Sequence, residues 1–160
     1  MMVKGVEKKE FRWGVLVASL LIVAAVAFIG GMFTDTGSWY DSIKPSITPP
    51  NFVFPIAWSI IFFLISLSLY FAWTGSKDGE KVNVGILFGI NLFFNIFWSF
   101  LFFYIKNVKL AFLEILILWI SIAILFLYCL KVDRKASWLL LPYLAWVSFA
   151  TFLNYLMAFH

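Results

Sequence analysis

The chain has 160 residues, of which 64% are hydrophobic, 21% aromatic and only 12% charged, and its formal net charge is +4. Soluble domains are about half apolar and about a quarter charged, and a chain this apolar cannot hide its hydrophobic surface from water. The composition therefore excludes a soluble globular protein and predicts an integral membrane protein. Its basic residues lie beside the apolar runs, which indicates contact with anionic lipid headgroups and predicts no nucleic-acid partner.

Five apolar runs are each long enough to cross a bilayer, which takes about 20 residues in helical form. None of them shows the alternation of apolar and polar residues that is typical of a transmembrane β-barrel. The sequence therefore predicts an all-α bundle of five transmembrane helices in a single domain over residues 1–160. The predicted spans are residues 13–33, 54–73, 82–105, 110–130 and 138–159.

The first span has a second interpretation as a signal peptide. Basic residues precede it, and Ala25-Val26-Ala27 resembles a signal-peptidase site. The apolar run is long for a signal peptide and continues past that site, which favours a retained helix over a cleaved leader.

Lysine and arginine are distributed unequally between the two ends of the predicted bundle. Of those outside the spans, nine lie in the N-terminal segment and in the second and fourth loops, and three lie in the first and third loops. The positive-inside rule then places the N-terminus in the cytoplasm, with the first loop and the C-terminus outside. This bias favours a prokaryotic plasma membrane.

The connector between the first two spans, residues 35–52, is the only long one, and four of the five prolines lie in it or just after it. Proline fixes its own φ angle and disfavours helix at the preceding residue, so Pro49-Pro50 predicts a stiff extended piece. Trp39 and Tyr40 are amphipathic rings suited to the headgroup level. Two interpretations stay open: a rigid connector with an aromatic anchor, or a semi-rigid cap over a cavity.

Polar side chains recur inside the predicted third and fifth spans. Asn91, Asn95 and Ser99 follow at intervals of four residues and form one stripe along a helix, and Asn154 lies in the fifth span. Polar groups in a membrane helix face the interior of the bundle. They either line a ligand cavity or form hydrogen bonds that hold the helices together.

Glu114 is the only acidic residue well inside a predicted span. An intramembrane carboxylate is a candidate functional group by default. The alternative is that its side chain reaches the membrane surface or pairs there with Lys106 or Lys109.

Gly85 and Gly89 form a GxxxG motif in the third span. Two glycines one turn apart let another helix approach closely. The motif predicts either the seam of a homodimer or close packing within one chain.

The residues that usually perform catalysis are few. The chain has one histidine, His160, and one cysteine, Cys129, and it has no cluster with metal-ligand spacing. We therefore expect no metal and no cofactor, and neither an acid–base hydrolase nor a metalloenzyme. Any chemistry would have to use aromatic side chains or the ligand itself.

Three blocks of this sequence resemble signatures of the TspO/MBR family, the tryptophan-rich sensory proteins that include the mitochondrial translocator protein (peripheral benzodiazepine receptor). The blocks are WY (39–40) followed by KPSITPP (44–50) and Trp58, then NIFWSFLFF (95–103), and then PYLAWVSFATFLN (142–154). With five spans in matching order, the resemblance covers essentially the whole chain.

The resemblance implies a five-helix bundle, commonly dimeric, with a pocket in its outer half that the first loop closes. It implies porphyrins such as protoporphyrin IX, sterols in some members, and benzodiazepine-type drugs as ligands. It also implies that Gly85 and Gly89 form the dimer seam. The ligand-binding residues that it implies are Tyr40, Pro49, Trp58, Phe62, Asn91, Asn95, Trp146 and Ala150.

This chain departs from the family pattern at three places. The spacing between WY (39–40) and KP (44–45) is one residue shorter than in the family, which changes the tilt expected for the first loop. Phe62 stands where the family often has tyrosine, and the C-terminal YLMAFH (155–160) has no basic residue after its tyrosine, which argues against sterol binding there. The resemblance favours a membrane receptor, sensor or carrier for tetrapyrroles. The alternatives are a light- and oxygen-dependent porphyrin-degrading enzyme that uses Trp58 and Trp146, a transporter of small amphipathic molecules, or a structural membrane partner.

Overall fold

The computed structural model describes residues 11–159, and within that range every regular element is helical. Five helical segments are long and apolar enough to cross a membrane, which confirms the prediction of an all-α membrane protein with five spans. The helices are α1 (Trp13–Phe33), α2 (Ser38–Ile43), α3 (Val53–Gly75), α4 (Asp78–Ser99), α5 (Val108–Val132), α6 (Arg134–Leu139) and α7 (Leu141–Phe159).

The third span begins four residues earlier than the sequence predicted. The side chain of Glu80 accepts a hydrogen bond from the backbone N–H of Lys77 (2.9 Å), one of the amides that precede the first turn and have no partner within the helix. This local bond allows α4 to begin at Asp78, in a polar stretch that hydropathy alone assigns to the loop.

The same span ends in a π-helical turn, Phe100–Tyr104, in which the N–H of Ile105 bonds to the carbonyl of Phe100 (2.9 Å). Such turns are rare and are often found at functional sites. Lys106 follows with φ of 58°, a left-handed conformation that ends the helix abruptly. Asn107 then caps α5 by accepting a hydrogen bond from the Leu110 N–H (3.0 Å).

The fifth span consists of two helices, where the sequence predicted one. Asp133 caps α6 through the backbone amides of Lys135 and Ala136. The helix stops at Leu139 because Pro142 has no N–H to continue the hydrogen-bond ladder, and a new helix starts with that proline in its first turn.

The long helices pack side by side in the order α3, α1, α4, α5, α7, with α6 packed between α3 and α5. Because α3 packs on α6 at one end of the bundle and makes little contact with α7 at the other, the bundle is open at the end where α2 lies. The connector of residues 34–52, which we call the lid, crosses this end. Its short helix α2 lies where the sequence suggested only a connector.

Candidate functional site

A cavity of about 470 Å³ lies under the lid, within the range typical of small-molecule sites. We call it the lid-side cavity. None of its lining residues carries a formal charge, and aromatic rings form much of the wall. The lining comprises Ala27, Gly30, Gly31, Thr34, Thr36, Tyr40, Asn51, Phe54, Pro55, Trp58, Ser59, Phe62, Asn95, Trp98, Ser99, Phe102, Phe103, Ala150, Leu153, Asn154 and Met157.

Tyr40 fixes the lid over the cavity. Its side chain is only 3% exposed, and its ring contacts those of Phe54, Phe102 and Phe103 at centroid distances of 5.9–6.3 Å. Burial, together with the nearby Asp41 carboxylate, raises the pKa of Tyr40 to about 12. The phenol therefore stays neutral at physiological pH and can donate a hydrogen bond into the cavity.

A small polar network holds the lid in its shape. The Lys44 ammonium donates to the Asp41 carboxylate and to Asn51 Oδ1 (3.2 Å), and it lies 5.9 Å from the centroid of the Tyr40 ring. The hydrogen bonds from Lys44 and then Asn51 lower the pKa of Asp41, which is ionised at neutral pH. We call Asp41, Lys44 and Asn51 the lid network.

Two tryptophans contribute the flattest parts of the wall. The ring centroids of Trp58 and Phe62 are 5.4 Å apart, with 30° between the ring planes. Trp98 stacks on Phe102 with a centroid distance of 5.1 Å and an interplanar angle of 25°. Phe102 and the adjacent Phe103, both in the π-helical turn, also reach the lining.

Hydrogen bonds between helices fix the polar side chains of the wall. Asn95 donates to the Tyr143 hydroxyl (3.1 Å), which joins α4 to α7. Asn154 accepts from the Trp98 indole N–H (3.0 Å) and donates to the carbonyl of Val108 (3.0 Å), so it joins three helices. The sequence left open whether such groups line a cavity or hold helices together, and Asn95 and Asn154 do both.

The structure brings five of the eight predicted ligand-binding residues together. The residues that line the lid-side cavity are Tyr40, Trp58, Phe62, Asn95 and Ala150. Pro49, Asn91 and Trp146 do not line it.

These three residues lie behind the wall or beside it. Asn91 is fully buried and donates to the Ser121 hydroxyl (2.8 Å), so it joins α4 to α5 in the core. Trp146 packs against Phe54 at 5.8 Å, and its indole N–H is buried without a hydrogen-bond acceptor. Pro49 lies in the lid, half-buried.

Sequence reasoning missed several lining residues, among them Trp98, Phe102 and Phe103. A signal for Trp98 was present, because it lies three residues after Asn95 and hence on a neighbouring part of the same helix face. The two phenylalanines lie in the block at residues 95–103, but that block does not by itself indicate which of its residues face a cavity.

Glu114 lies in the core between helices and not at the membrane surface. It is 4% exposed, and neither carboxyl oxygen has a hydrogen-bond partner. The ion pairs among residues 11–159 are Asp41–Lys44 and Asp78–Lys81, so the pairing with Lys106 or Lys109 is absent.

The GxxxG motif lies at the opposite end of the bundle, in an apolar crevice of about 340 Å³ between α1, α3 and α4. We call it the small-residue crevice, because its lining includes Gly14, Ala18, Gly85 and Gly89. Both glycines of the motif are exposed at the surface of the protomer. No group of three or more potential metal ligands occurs in the described range.

The sequence model of the TspO/MBR family matches residues 18–160, which is most of the chain and includes every helix that lines the cavity. This chain belongs to the TspO/MBR family. The family assignment that the three sequence blocks suggested is thereby confirmed.

Individual members of the TspO/MBR family agree with this result. The chain is 40% identical over 143 residues to Tryptophan-rich protein TspO of Archaeoglobus fulgidus, a match that covers 88% of this chain and 92% of that protein. It is 43% identical over 136 residues to the protein of the same name from Chlorobaculum tepidum, with 82% and 85% covered. The Translocator protein of Ovis aries is 29% identical over 151 residues, with 91% and 89% covered.

Proposed function

We propose that this TspO/MBR protein is a membrane receptor, sensor or carrier that binds tetrapyrroles such as protoporphyrin IX, and related hydrophobic molecules, in the lid-side cavity. One observation carries the proposal: the cavity is roofed by the lid, has aromatic walls and contains no charged side chain. A flat macrocycle gains stacking energy of about 0.5–1.5 kcal/mol from each well-placed aromatic ring, in addition to the burial of its apolar surface.

The polar atoms of the wall suit the same ligand. Asn95, Asn154 and Tyr40 come from three different helices, and contacts with other segments hold each of them, so little conformational entropy is lost when they contact a ligand. A few fixed polar groups in an otherwise apolar cavity are typical of sites that orient one hydrophobic ligand.

The positive-inside rule supports a cytoplasmic N-terminus for this protein. Among the described residues, the end of the bundle opposite the lid carries Arg12, Lys77, Lys81, Lys131, Arg134 and Lys135, whereas the lid end carries Lys44, Lys106 and Lys109. The lid-side cavity then opens toward the outer face of a plasma membrane, with bilayer lipid around the bundle of helices.

We also propose a homodimer whose seam is the face of α4 that carries Gly85 and Gly89. Their exposure in the protomer leaves the α4 backbone accessible to a second helix. Close backbone approach at small residues is a common basis of helix association in bilayers.

The test is a titration of purified protein in detergent with protoporphyrin IX in the dark, followed by tryptophan fluorescence and porphyrin absorbance. Saturable binding that Trp58→Phe weakens supports the proposal. Trp13→Phe is the matched control, because Trp13 is 70% exposed and lies outside the cavity lining. No saturable binding would refute it.

Illumination of the same samples tests the enzymatic alternative. A new pigment that forms in the light and is lost in Trp58→Phe would support porphyrin breakdown at the cavity wall. Because Trp146 lies behind Phe54, Trp146→Phe should matter less than Trp58→Phe to such a reaction. Unchanged porphyrin after illumination supports a receptor or carrier.

A further inference from the structure

The charge distribution around the lid-side cavity indicates which end of a ligand faces outward. The lining itself carries no charged side chain. Lys44 nevertheless contacts two lining residues, since its ammonium bonds to Asn51 Oδ1 (3.2 Å) and lies 5.9 Å from the Tyr40 ring centroid. A positive charge therefore stands at the rim of an otherwise neutral cavity.

Asp41 balances this charge from the exposed side of the lid. The side chains of Lys44 and Asp41 are 32% and 50% exposed, so the ion pair is hydrated and can exchange partners at small free-energy cost. A lysine ammonium has three N–H donors, and the Asp41 and Asn51 contacts account for two of them. The Asn51 amide also donates to Asp41, at 3.5 Å.

We propose that Lys44 and Asn51 form an anion subsite at the rim of the lid-side cavity, which binds the carboxylate of an amphipathic ligand whose apolar body fills the cavity. In the structure the Asp41 carboxylate accepts a hydrogen bond from the Lys44 ammonium. The carboxylate of a ligand would share the Lys44 ammonium with Asp41 or replace Asp41 there, and no covalent bond would form. This inference rests on the proposed function, and it selects flat hydrophobic acids over neutral molecules of the same shape.

Lys106 provides a matched control for this subsite. It is the other cation placed against the lid, with its ammonium 5.3 Å from the centroid of the Trp39 ring. Neither Lys106 nor Trp39 lines the cavity. A general attraction of anions to the positive charge near the lid would depend on both lysines, whereas the subsite depends on Lys44 alone.

The experiment compares protoporphyrin IX with its dimethyl ester, which has the same ring system and no carboxylate. Dissociation constants are measured at neutral pH in the dark for the unmodified protein and for Lys44→Gln, Lys44→Arg, Asp41→Asn and Lys106→Gln. We expect the acid to bind roughly tenfold more tightly than the ester, since hydrogen bonds to charged groups are the stronger ones. Lys44→Gln should remove this ratio by weakening the acid alone, and Lys44→Arg should keep it.

Asp41→Asn should act in the opposite direction. It keeps the shape of the side chain and removes the carboxylate that competes for Lys44, so the acid should bind more tightly while affinity for the ester stays unchanged. Lys106→Gln should leave both dissociation constants within about twofold, because its charge is outside the contacts that define the subsite.

Three outcomes would contradict these expectations, and they separate the subsite from the proposed function. The anion subsite is refuted if acid and ester bind the unmodified protein equally, or if Lys44→Gln weakens the binding of both alike. Lys44 would then only hold the lid together, and the tetrapyrrole proposal would stand. If Lys106→Gln removes the ratio as strongly as Lys44→Gln, the preference is unspecific and the subsite is refuted. If neither compound binds, the proposed function is refuted together with the subsite.

Discussion

The lid-side cavity and the small-residue crevice lie at opposite ends of one bundle and arise in opposite ways. Large rings such as Trp58 and Trp98 surround the first, and hydrogen bonds from Asn95 to Tyr143 and from Trp98 to Asn154 hold its wall in place. The second exists because Gly85 and Gly89 have no side chains to fill it. The first is enclosed by rigid, oriented side chains, and the second leaves the α4 backbone accessible.

The largest expected difference is in porphyrin affinity, between two substitutions on α1 that each place a large side chain in one of the two cavities. Ala27 and Ala18 both lie on α1, the first in the lining of the lid-side cavity and the second in that of the crevice. A phenylalanine ring at position 27 competes directly with a ligand, and overpacking alone costs about 1–3 kcal/mol. We expect Ala27→Phe to raise the dissociation constant of protoporphyrin IX by at least about tenfold.

Ala18→Phe should leave that dissociation constant within about twofold, because the crevice is at the far end of the bundle. The titration described above measures both variants. Comparable losses in the two would mean that the ends of the bundle are not independent, and the contrast between the cavities would no longer hold.

The contribution of buried polar groups to stability can be tested by two substitutions, one at the cavity wall and one in the core. Asn154→Leu leaves the Trp98 indole N–H and the Val108 carbonyl without their partner, and we expect the free energy of unfolding to fall by about 1–2 kcal/mol. Glu114→Met removes a carboxyl that has no partner, so stability should be unchanged within about 1 kcal/mol or should rise.

Denaturation of both variants in detergent, followed by circular dichroism, measures these effects. A larger loss in Glu114→Met than in Asn154→Leu would contradict the prediction, because it would mean that water or another group satisfies the Glu114 oxygens. Ile65, an apolar residue that is fully buried in the core, provides a reference: Ile65→Ala should cost about 2–5 kcal/mol.

The crevice can be tested through association. A Cβ atom added at Gly89 meets no atom within 4 Å, so Gly89→Leu should not disturb the protomer. If the seam lies on this face, the leucine keeps the helices apart and should weaken dimerisation about tenfold by overpacking. Gly79→Leu is the control, since Gly79 lies on the same helix in equally open space but outside the crevice.

Cross-linking or sedimentation in detergent reports the monomer fraction of both glycine variants. An unchanged monomer fraction in Gly89→Leu would place the seam elsewhere. Porphyrin affinity should be the same in both variants, which keeps this test separate from the lid-side cavity.

The smallest effect on stability is expected from the lid network, because its ion pair is exposed and screened by solvent. The pKa of Asp41 is lowered in the folded protein, so its contribution is fully present above the ordinary pKa of the carboxyl. It is lost as the pH falls through the lowered value. We expect faster amide hydrogen exchange in α2 on acidification, after correction for the intrinsic exchange rate.

Asp41→Asn should remove that pH dependence and leave exchange in α4 unaltered. A pH dependence of the same size in the variant would assign the effect to another group, and the Lys44–Asp41 contact would then have no part in holding the lid.

Much of the architecture follows from composition and spacing. Five runs of about 20 apolar residues can satisfy their backbone hydrogen bonds in a bilayer only as helices, so the class and the number of spans were predictable. The blocks at residues 39–58, 95–103 and 142–154 also indicated the family, which the match over residues 18–160 confirms.

The tertiary structure decided which of these residues meet. The spacing of Asn91 and Asn95 predicts that both lie on one face of α4, but two residues on one face can contact different neighbouring helices. Asn95 bonds to Tyr143 of α7 at the cavity, whereas Asn91 bonds to Ser121 of α5 in the core. Periodicity within one helix carries no information about which partner each turn meets.

Of the two backbone irregularities, Pro142 marks one in the sequence because proline interrupts a helix, whereas nothing in the sequence indicated the π-helical turn. The π-helical turn contains Phe102 and Phe103 of the lining, and the helix break before Pro142 separates α6 from α7. The sequence by itself determined that this chain is a five-span membrane protein with aromatic and polar groups inside its helices, because hydrophobic length is a local property. Only the packing of those helices decided where the cavity lies and which groups surround it, because contacts between distant segments depend on the geometry of the whole bundle.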